Sequence, residues 1–424
     1  MSKTLMKGAV LMLLNGLWAV ACGAEEVAVG YKPNPGKETK IWDAMKKYDY
    51  KFYAFEEAAW PDRAKWKQVP YGTLDYKFIG DAIIENGNFW LFLKASPYDS
   101  PFLYANIDGR PGFCSELYTR SERWAYNHRP VYVKILENTP NEVILEYSGD
   151  WPERIRPEVI VRYRVRRDTG WIEVTPIKNA YQQSHHSAPN RFAVAPSNAE
   201  DGNDLVVDPY KVPRGKYVEY PLPPTNNRFM LQQVFWSFRD NCMWMLTYPD
   251  PKTASPVIWA DNHQEIPRLE TINALFGGKK VILGVINRRD VFHHEDVGKP
   301  ITAGGKYTSQ WKPPYPGVWR MTGRVTDGKS DYYPDSGTPN KSDPSTVYSA
   351  RVDDKHYTNT IVVKQGAQNP FSFASPVAGR LEYVIMYLYD RTGQTPKDLA
   401  TPMDIYRETQ AINGGAEERA PGRN

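Results

Sequence analysis

The segment YQQSHHSAPNRFAVAP (181–196) sets two adjacent histidines, an asparagine and an arginine in a short polar interruption between apolar runs. With 7 histidines in 424 residues, His185 and His186 are a large share of the side chains that exchange protons near neutral pH. Neighbouring side chains on an extended backbone point to opposite faces, so only one of the pair faces a given cleft. Asn190 and Arg191 follow an Ala-Pro corner that can return them to that side. A second cluster, RWAYNHRPVY (123–132), carries Tyr126, Asn127, His128 and Arg129 directly before a strand-like run. If the two strand ends are neighbours, one cleft holds tyrosine, histidine, asparagine and arginine. Those groups move protons and neutralise a developing anion. The competing reading is that they cap strand ends and satisfy loop carbonyls.

Other clusters are weaker. His293-His294-Glu295-Asp296 has groups that suit Zn²⁺, yet adjacent ligands diverge on an extended chain and neither HxH nor HExxH spacing occurs there. A solvated turn is the expectation. Asp327, Asp331, Asp335 and Asp343 carry carboxylates enough for Ca²⁺ without EF-hand spacing, and Asp201-Gly-Asn-Asp204 is similarly ambiguous. No metal or other cofactor is therefore expected, since spacing supports neither Ca²⁺ nor Zn²⁺. Glu85, Glu116 and Glu173 are possible members of a hydrolytic carboxylate pair that nothing singles out. The absence of a GxSxG elbow, a phosphate loop and a dinucleotide fingerprint argues against serine-hydrolase and nucleotide chemistry.

The elements that must position these residues read as strands. AIIENGNFWLFLK (82–94) is two apolar segments joined by Asn86-Gly87, a hairpin signal because both residues tolerate positive φ. RPVYVKILE (129–137) and NEVILEYSG (141–149) flank a Thr-Pro turn. EVIVRYRVR (158–166) sets Val159, Val161, Tyr163 and Val165 against Arg162, Arg164 and Arg166, and WIEVTPI (171–177) returns after RDTG. Two further hairpins are expected, at 229–249 and in INALF-GGKK-VILGVI (272–286). A short helix is expected near Trp42–Lys47, and another from Thr401-Pro402 to about Ile412, closed by Gly414-Gly415. The domain reading is a leader over 1–24, an irregular segment over 25–75, a large domain over 76–305, a smaller β module over 306–412 and a disordered tail over 413–424.

The bulk properties agree with a large β protein. The 28 Tyr, 13 Trp and 15 Phe either fill a big core or form a surface that stacks on sugar rings, and core packing accounts for most of them. The formal charge, 53 − 49 = +4, falls to +2 without Lys3 and Lys7 and gives no support for a nucleic-acid partner. The arginine run at 154–167 can meet a polyanion, although such a run is more often a solvated strand face. Lys3 and Lys7, an apolar stretch from about Gly8 to Val20, and Ala19-Val20-Ala21 read as an export signal. Cys22 directly after them opens a second option, lipidation, which would be the only membrane attachment. The expected location is secreted or periplasmic. Cys114 and Cys242 permit one disulfide without requiring it.

The order "strand, NTPNE turn, VILEYSGDW, PEVIVRYRVRRDTGWIEVTPIKN" resembles the central meander of galactose-mutarotase-like supersandwich domains, over about 75–300. Such domains occur in aldose epimerases, in accessory domains of glycoside hydrolases and in polysaccharide lyases. The resemblance implies a large antiparallel supersandwich; with the strand runs and helix start read beyond residue 300, the expected fold is all-β, a large antiparallel β-supersandwich followed by a smaller β-sandwich with a short C-terminal helix. The resemblance also implies a polysaccharide partner, an acidic one if the protein is a lyase. On that likeness Tyr126 and His186 are base and acid candidates, Asn190 and Arg191 neutralise a uronate carboxylate, and His128, Arg129 and His185 support them. A glycan-binding surface protein without catalysis, or a glycoside hydrolase on the same scaffold, are the alternatives.

Overall fold

VIVRYRVR (159–166) alternates buried and outward side chains along its whole length, and that period of two organises the molecule. The computed structural model describes residues 37–48, 62–93, 95, 101–107, 109–120, 129–150, 159–167, 169–178, 181–185, 190–195, 205–208, 217–221, 229–234, 242–247, 254–261, 268–275, 280–326, 347–349, 357–363, 371–375 and 378–408.

Sheet one is β2-β1-β3-β4-β5-β6 in spatial order, with β1 (Lys40–Asp43), β2 (Lys67–Gln68), β3 (Ala82–Glu85), β4 (Phe89–Leu93), β5 (Phe102–Ile107) and β6 (Arg110–Glu116). Sheet two has nine strands in the order β14-β13-β16-β17-β20-β11-β10-β9-β8. They are β8 (Arg129–Asn138), β9 (Glu142–Asp150), β10 (Val159–Arg166), β11 (Trp171–Lys178), β13 (Asn190–Ala195), β14 (Leu205–Val207), β16 (Phe229–Val234), β17 (Cys242–Thr247) and β20 (Val281–Ile286). Sheet three runs β24-β15-β18-β19-β12-β7. Its members are β7 (Tyr118–Arg120), β12 (Tyr181–His185), β15 (Tyr217–Pro221), β18 (Ala254–Asp261), β19 (Arg268–Leu275) and β24 (Val347–Ser349). Sheet four is β21-β27-β23-β25, from β21 (Phe292–Ile301), β23 (Val318–Thr326), β25 (Tyr357–Val363) and β27 (Gly379–Asp390). A separate two-stranded ribbon pairs β22 (Lys306–Thr308) with β26 (Ser372–Ala374). The protein is all-β with one short helix, α1 (402–408), among the described residues. Every described pairing is antiparallel except β15 with β24.

Sheet two is a middle layer. Val281, Leu283 and Val285 of β20 join Ile84, Leu91, Leu103, Val161 and Tyr163 in one core. Ile282 and Ile286 join Trp171, Met245, Met321, Tyr387 and Ile405 in a second. A strand covered on both faces reads as an unbroken apolar run, which explains VILGVI. Helix α1 lies over Gly284, where an added Cβ would stand 2.7 Å from Met245 Cγ and 2.9 Å from Ile405 Cδ1. Gly284→Val is therefore expected to cost about 1–3 kcal/mol by overpacking, read as a lowered urea midpoint with an unchanged slope.

Local chemistry fixes the ends of α1 and the first hairpin. Thr401 Oγ1 donates to Asp404 Oδ2 (2.8 Å), and the Thr401 amide donates to the same oxygen (3.0 Å). The Asp404 amide returns to Thr401 Oγ1 (3.3 Å), which completes a reciprocal cap with Pro402 at the first helical position. In the β3–β4 turn only Gly87 has positive φ, +83°, so the central pair is Gly87-Asn88, the pattern of a II′ turn.

Three expectations are corrected. Trp42 lies in β1 rather than in a helix, because Lys40–Asp43 pairs with both β2 and β3. INALF and VILGVI are not a hairpin: β19 pairs with β18 and β12, while β20 pairs with β17 and β11. Apolar patterning marks a strand but not its partner, and here the four residues between them carry the chain from one sheet to another. HHED is a strand, not a turn, since β21 pairs along β27.

Candidate functional site

Of the sequence candidates, Tyr126, His128 and His186 lie outside the described residues, and only the backbones of His185, Asn190, Arg191 and Arg129 are placed. His185 ends β12 opposite Tyr118 of β7, and Tyr181 lies opposite Arg120. Because this pair is antiparallel, the segment carrying Tyr126 and His128 leaves β7 at the Arg120–Tyr181 end, whereas the chain leaves β12 toward His186 at the other end, beside Tyr118. That ribbon is only about 10 Å long at 3.3 Å per residue. Asn190 begins β13 opposite Val234, whereas Arg129 begins β8 opposite Asp150. Those strands stand at opposite ends of sheet two, seven strand steps apart. The separation is roughly 30 Å along the sheet, so the backbone does not bring Arg129 to Asn190. Cys22, Asp201, Asp204, Asp327, Asp331, Asp335 and Asp343 also lie outside the described residues.

The described side chains converge instead on the outward face of β8–β11. Arg162, Arg164 and Arg166 project from β10 opposite the core, as the alternation implies, and meet glutamates of the neighbouring strands. Arg162 Nε donates to Glu146 Oε2 at 2.8 Å, and Tyr132 OH donates to Glu146 Oε1 at 3.1 Å. Arg164 Nε and Arg166 Nε both reach Glu142 Oε1, at 2.6 and 3.3 Å. Burial pushes the Glu142 carboxyl upward, but the hydrogen bonds and charge of Arg164 and Arg166 outweigh it and hold it below the usual carboxylate range.

At the inner end of this ladder sits Glu173 of β11, with only 2% of its side chain exposed. Lys280 Nζ lies 3.1 Å from Glu173 Oε2, Arg164 Nη1 3.9 Å from the same oxygen, and Arg166 Nη2 3.3 Å from Oε1. Trp171 forms the wall beside it, with the Arg166 guanidinium 5.8 Å from the ring centroid. The indole N–H of Trp171 donates to Glu408 Oε2 of α1 at 2.7 Å. Burial raises the Glu408 carboxyl above its usual range despite that bond. A raised folded pKa means that ionisation opposes folding, so Glu408 costs stability as pH rises through its folded value. Glu408→Gln keeps the acceptor, and is expected to raise Tm over the parent at pH 7 while matching it at pH 4.

A second polar group lies on sheet four. Ser309 Oγ donates to Glu295 Oε1 (2.5 Å), Tyr307 OH donates to Oε2, and His293 Nε2 stands 3.1 Å from Oε1. The His293 ring stacks on Trp311 at 4.4 Å and 2°. Burial lowers the imidazole pKa, so at neutral pH the ring is neutral and its Nε2–H donates a hydrogen bond to the carboxylate. Tyr307 is pushed up to about 12 by burial and by Glu295. A carboxylate with three donors beneath a stacked ring reads as an anchor for the 307–311 segment, missed because its partners are remote from the HHED motif. His294 faces the other way, against Phe192 (4.7 Å) and near Asp296 (3.2 Å). Among the described residues no three histidine, cysteine or acidic side chains are grouped to hold a metal. Glu85, a hydrolytic candidate, is bound by Arg63 (2.8 Å) and Trp42 (2.7 Å), and the Cys114 side chain is buried.

Fold and site together define a layered all-β protein with a cation-rich outer sheet face. No protein-family model matches the chain, and no curated protein matches it. Among solved structures it is similar to the galactosidase domain of the alpha-galactosidase-sucrose kinase AgaSK, at 10% identity and TM-score 0.31 over 49% of this chain and 40% of that one. The GH36 alpha-galactosidase AgaB from Geobacillus stearothermophilus gives 8%, 0.32, 52% and 44% in the same order. The alpha-N-acetylgalactosaminidase NagBb from Bifidobacterium bifidum (quadruple mutant) gives 8%, 0.29, 52% and 36%. The chain thus spans less than half the length of each. All three are named as carbohydrate-active enzymes, none as a mutarotase or a lyase. Likeness of this degree assigns neither fold nor activity.

Proposed function

We propose that the protein is an exported carbohydrate-active enzyme that cleaves a uronic-acid-containing polysaccharide by β-elimination. The observation behind this reading is the antiparallel β7–β12 pairing: the strands leading into the Tyr126 and His186 clusters are neighbours, and the clusters leave opposite ends of a ribbon only about 10 Å long. In the reaction Asn190 and Arg191 neutralise the sugar carboxylate and so acidify the C5 proton. Tyr126 and His186 share proton removal and protonation of the leaving oxygen, with His185 in support. The scissile C4–O electron pair leaves with the alkoxide, and the C5–H pair becomes the new double bond. The leader directs the chain out of the cytoplasm, with Cys22 as a lipid anchor if lipidation rather than plain cleavage occurs.

A second reading, a glycan-binding surface protein without catalysis, draws on the outer face of β8–β11. Its described strand and flanking side chains offer Lys134, Arg162, Arg164, Arg166, Lys178 and Lys280 against Glu137, Glu142, Glu146 and Glu173, that is 6 − 4 = +2. Incubation with a panel of uronic-acid polysaccharides, read as ultraviolet absorbance of unsaturated uronates, separates the two. A rise supports the lyase. No rise with retained binding leaves the binding protein, and neither activity nor binding on any acidic glycan overturns both.

A further inference from the structure

We infer that Glu173, Arg164, Arg166 and Lys280 form a subsite for one uronate residue of an acidic glycan; this rests on the acidic-glycan reading above and assigns it a place.

Three observations converge on that spot. The first is charge: three cations, Arg164, Arg166 and Lys280, face two carboxylates, Glu142 and Glu173, leaving 3 − 2 = +1. A single sugar carboxylate brings the group to neutrality. The second is access. The three cations keep 33–35% of their side-chain surface exposed, so their free N–H groups open outward while the carboxylate that gathers them lies beneath. The third is an unsatisfied acceptor. Glu173 Oε1 is buried within 3.3 Å of Arg166 Nη2, yet accepts no aligned hydrogen bond from any described residue. A buried acceptor left unmade is costly, and a sugar hydroxyl meets it once the partly exposed Arg166 and Lys280 side chains above it move aside.

A uronate presents both complements on one ring, a carboxylate for the cations and hydroxyls for Glu173. The guanidinium forks favour a planar carboxylate over a point charge. Trp171, held by Glu408 and carrying Arg166 over its ring, keeps that fork beside the site. The site lies on sheet two between strands β9 and β20, and its residues are separate from the 126–129 and 185–191 clusters.

The test is calorimetric binding of a tetragalacturonate, its fully methyl-esterified form and its O-methylated acid to the full chain. Lys280→Gln and Arg166→Gln are each expected to weaken acid binding about tenfold, while Lys67→Gln, at an exposed position in β2 of sheet one, changes it less than twofold. Lys280→Arg restores it. Glu173→Gln removes the preference for free over O-methylated hydroxyls. Matching near-ultraviolet circular dichroism certifies folding, and a flatter salt dependence in Lys280→Gln marks the lost charge. If the parent binds and both Gln variants bind as tightly, the subsite is wrong while the acidic-glycan reading stands. If the parent binds no acidic oligosaccharide, that reading falls and the subsite with it.

Discussion

His186→Ala is expected to lower the rate of unsaturated-uronate formation by about 10²- to 10⁴-fold, the usual contribution of one positioned acid or base. The effect belongs in kcat, with KM changed little, because proton transfer is made in the transition state and not in the bound substrate. Tyr126→Phe removes a hydroxyl without altering ring packing and is expected to show a loss of the same order. If the two residues act on the same transition state, the double variant loses less than the product of the single losses. Independent, multiplicative losses would instead place them at separate steps. A His186→Ala enzyme with parental kcat would leave SHHSAPNR as a structural loop.

Trp171→Ala is expected to destabilise the fold by about 3–5 kcal/mol, the range for an aromatic truncated in a packed core. Trp171 is 1% exposed in the middle layer and belongs to the core shared by sheet two, sheet four and α1. Its loss opens a cavity and leaves the Glu408 carboxylate without its indole donor. Trp171→Phe keeps most of the ring and loses only that donor, so it should sit between parent and alanine variant. Urea unfolding monitored by circular dichroism gives the comparison. A loss under 1 kcal/mol for Trp171→Ala would mean that α1 does not dock on this strand.

Several features were legible in the chain itself. The valine–arginine alternation of β10 set its inner and outer faces, because a period of two leaves no other assignment. The Thr401-Pro402 start of α1 was equally direct, since cap and helix are neighbours in sequence. Gly87 marked the first hairpin, though the turn centres one residue later than Asn86-Gly87 suggests. The fate of the arginine run was half visible. Spacing placed the guanidinium groups on one face, but Glu142, Glu146 and Lys280 reach them only through cross-strand pairing.

What the sequence by itself determined is therefore the class: an all-β chain, where its strands lie, which face of each is apolar, and which residue types can do chemistry. Only the tertiary structure decided which strands are partners. It separated INALF from VILGVI into different sheets and buried VILGVI on both sides. It also carried Glu173, Lys280 and the β10 arginines, more than 100 residues apart at the extremes, to one point. The reason is physical. Alternation and caps are interactions between near neighbours, whereas strand order depends on how whole apolar faces stack, and that energy is shared by the entire sheet.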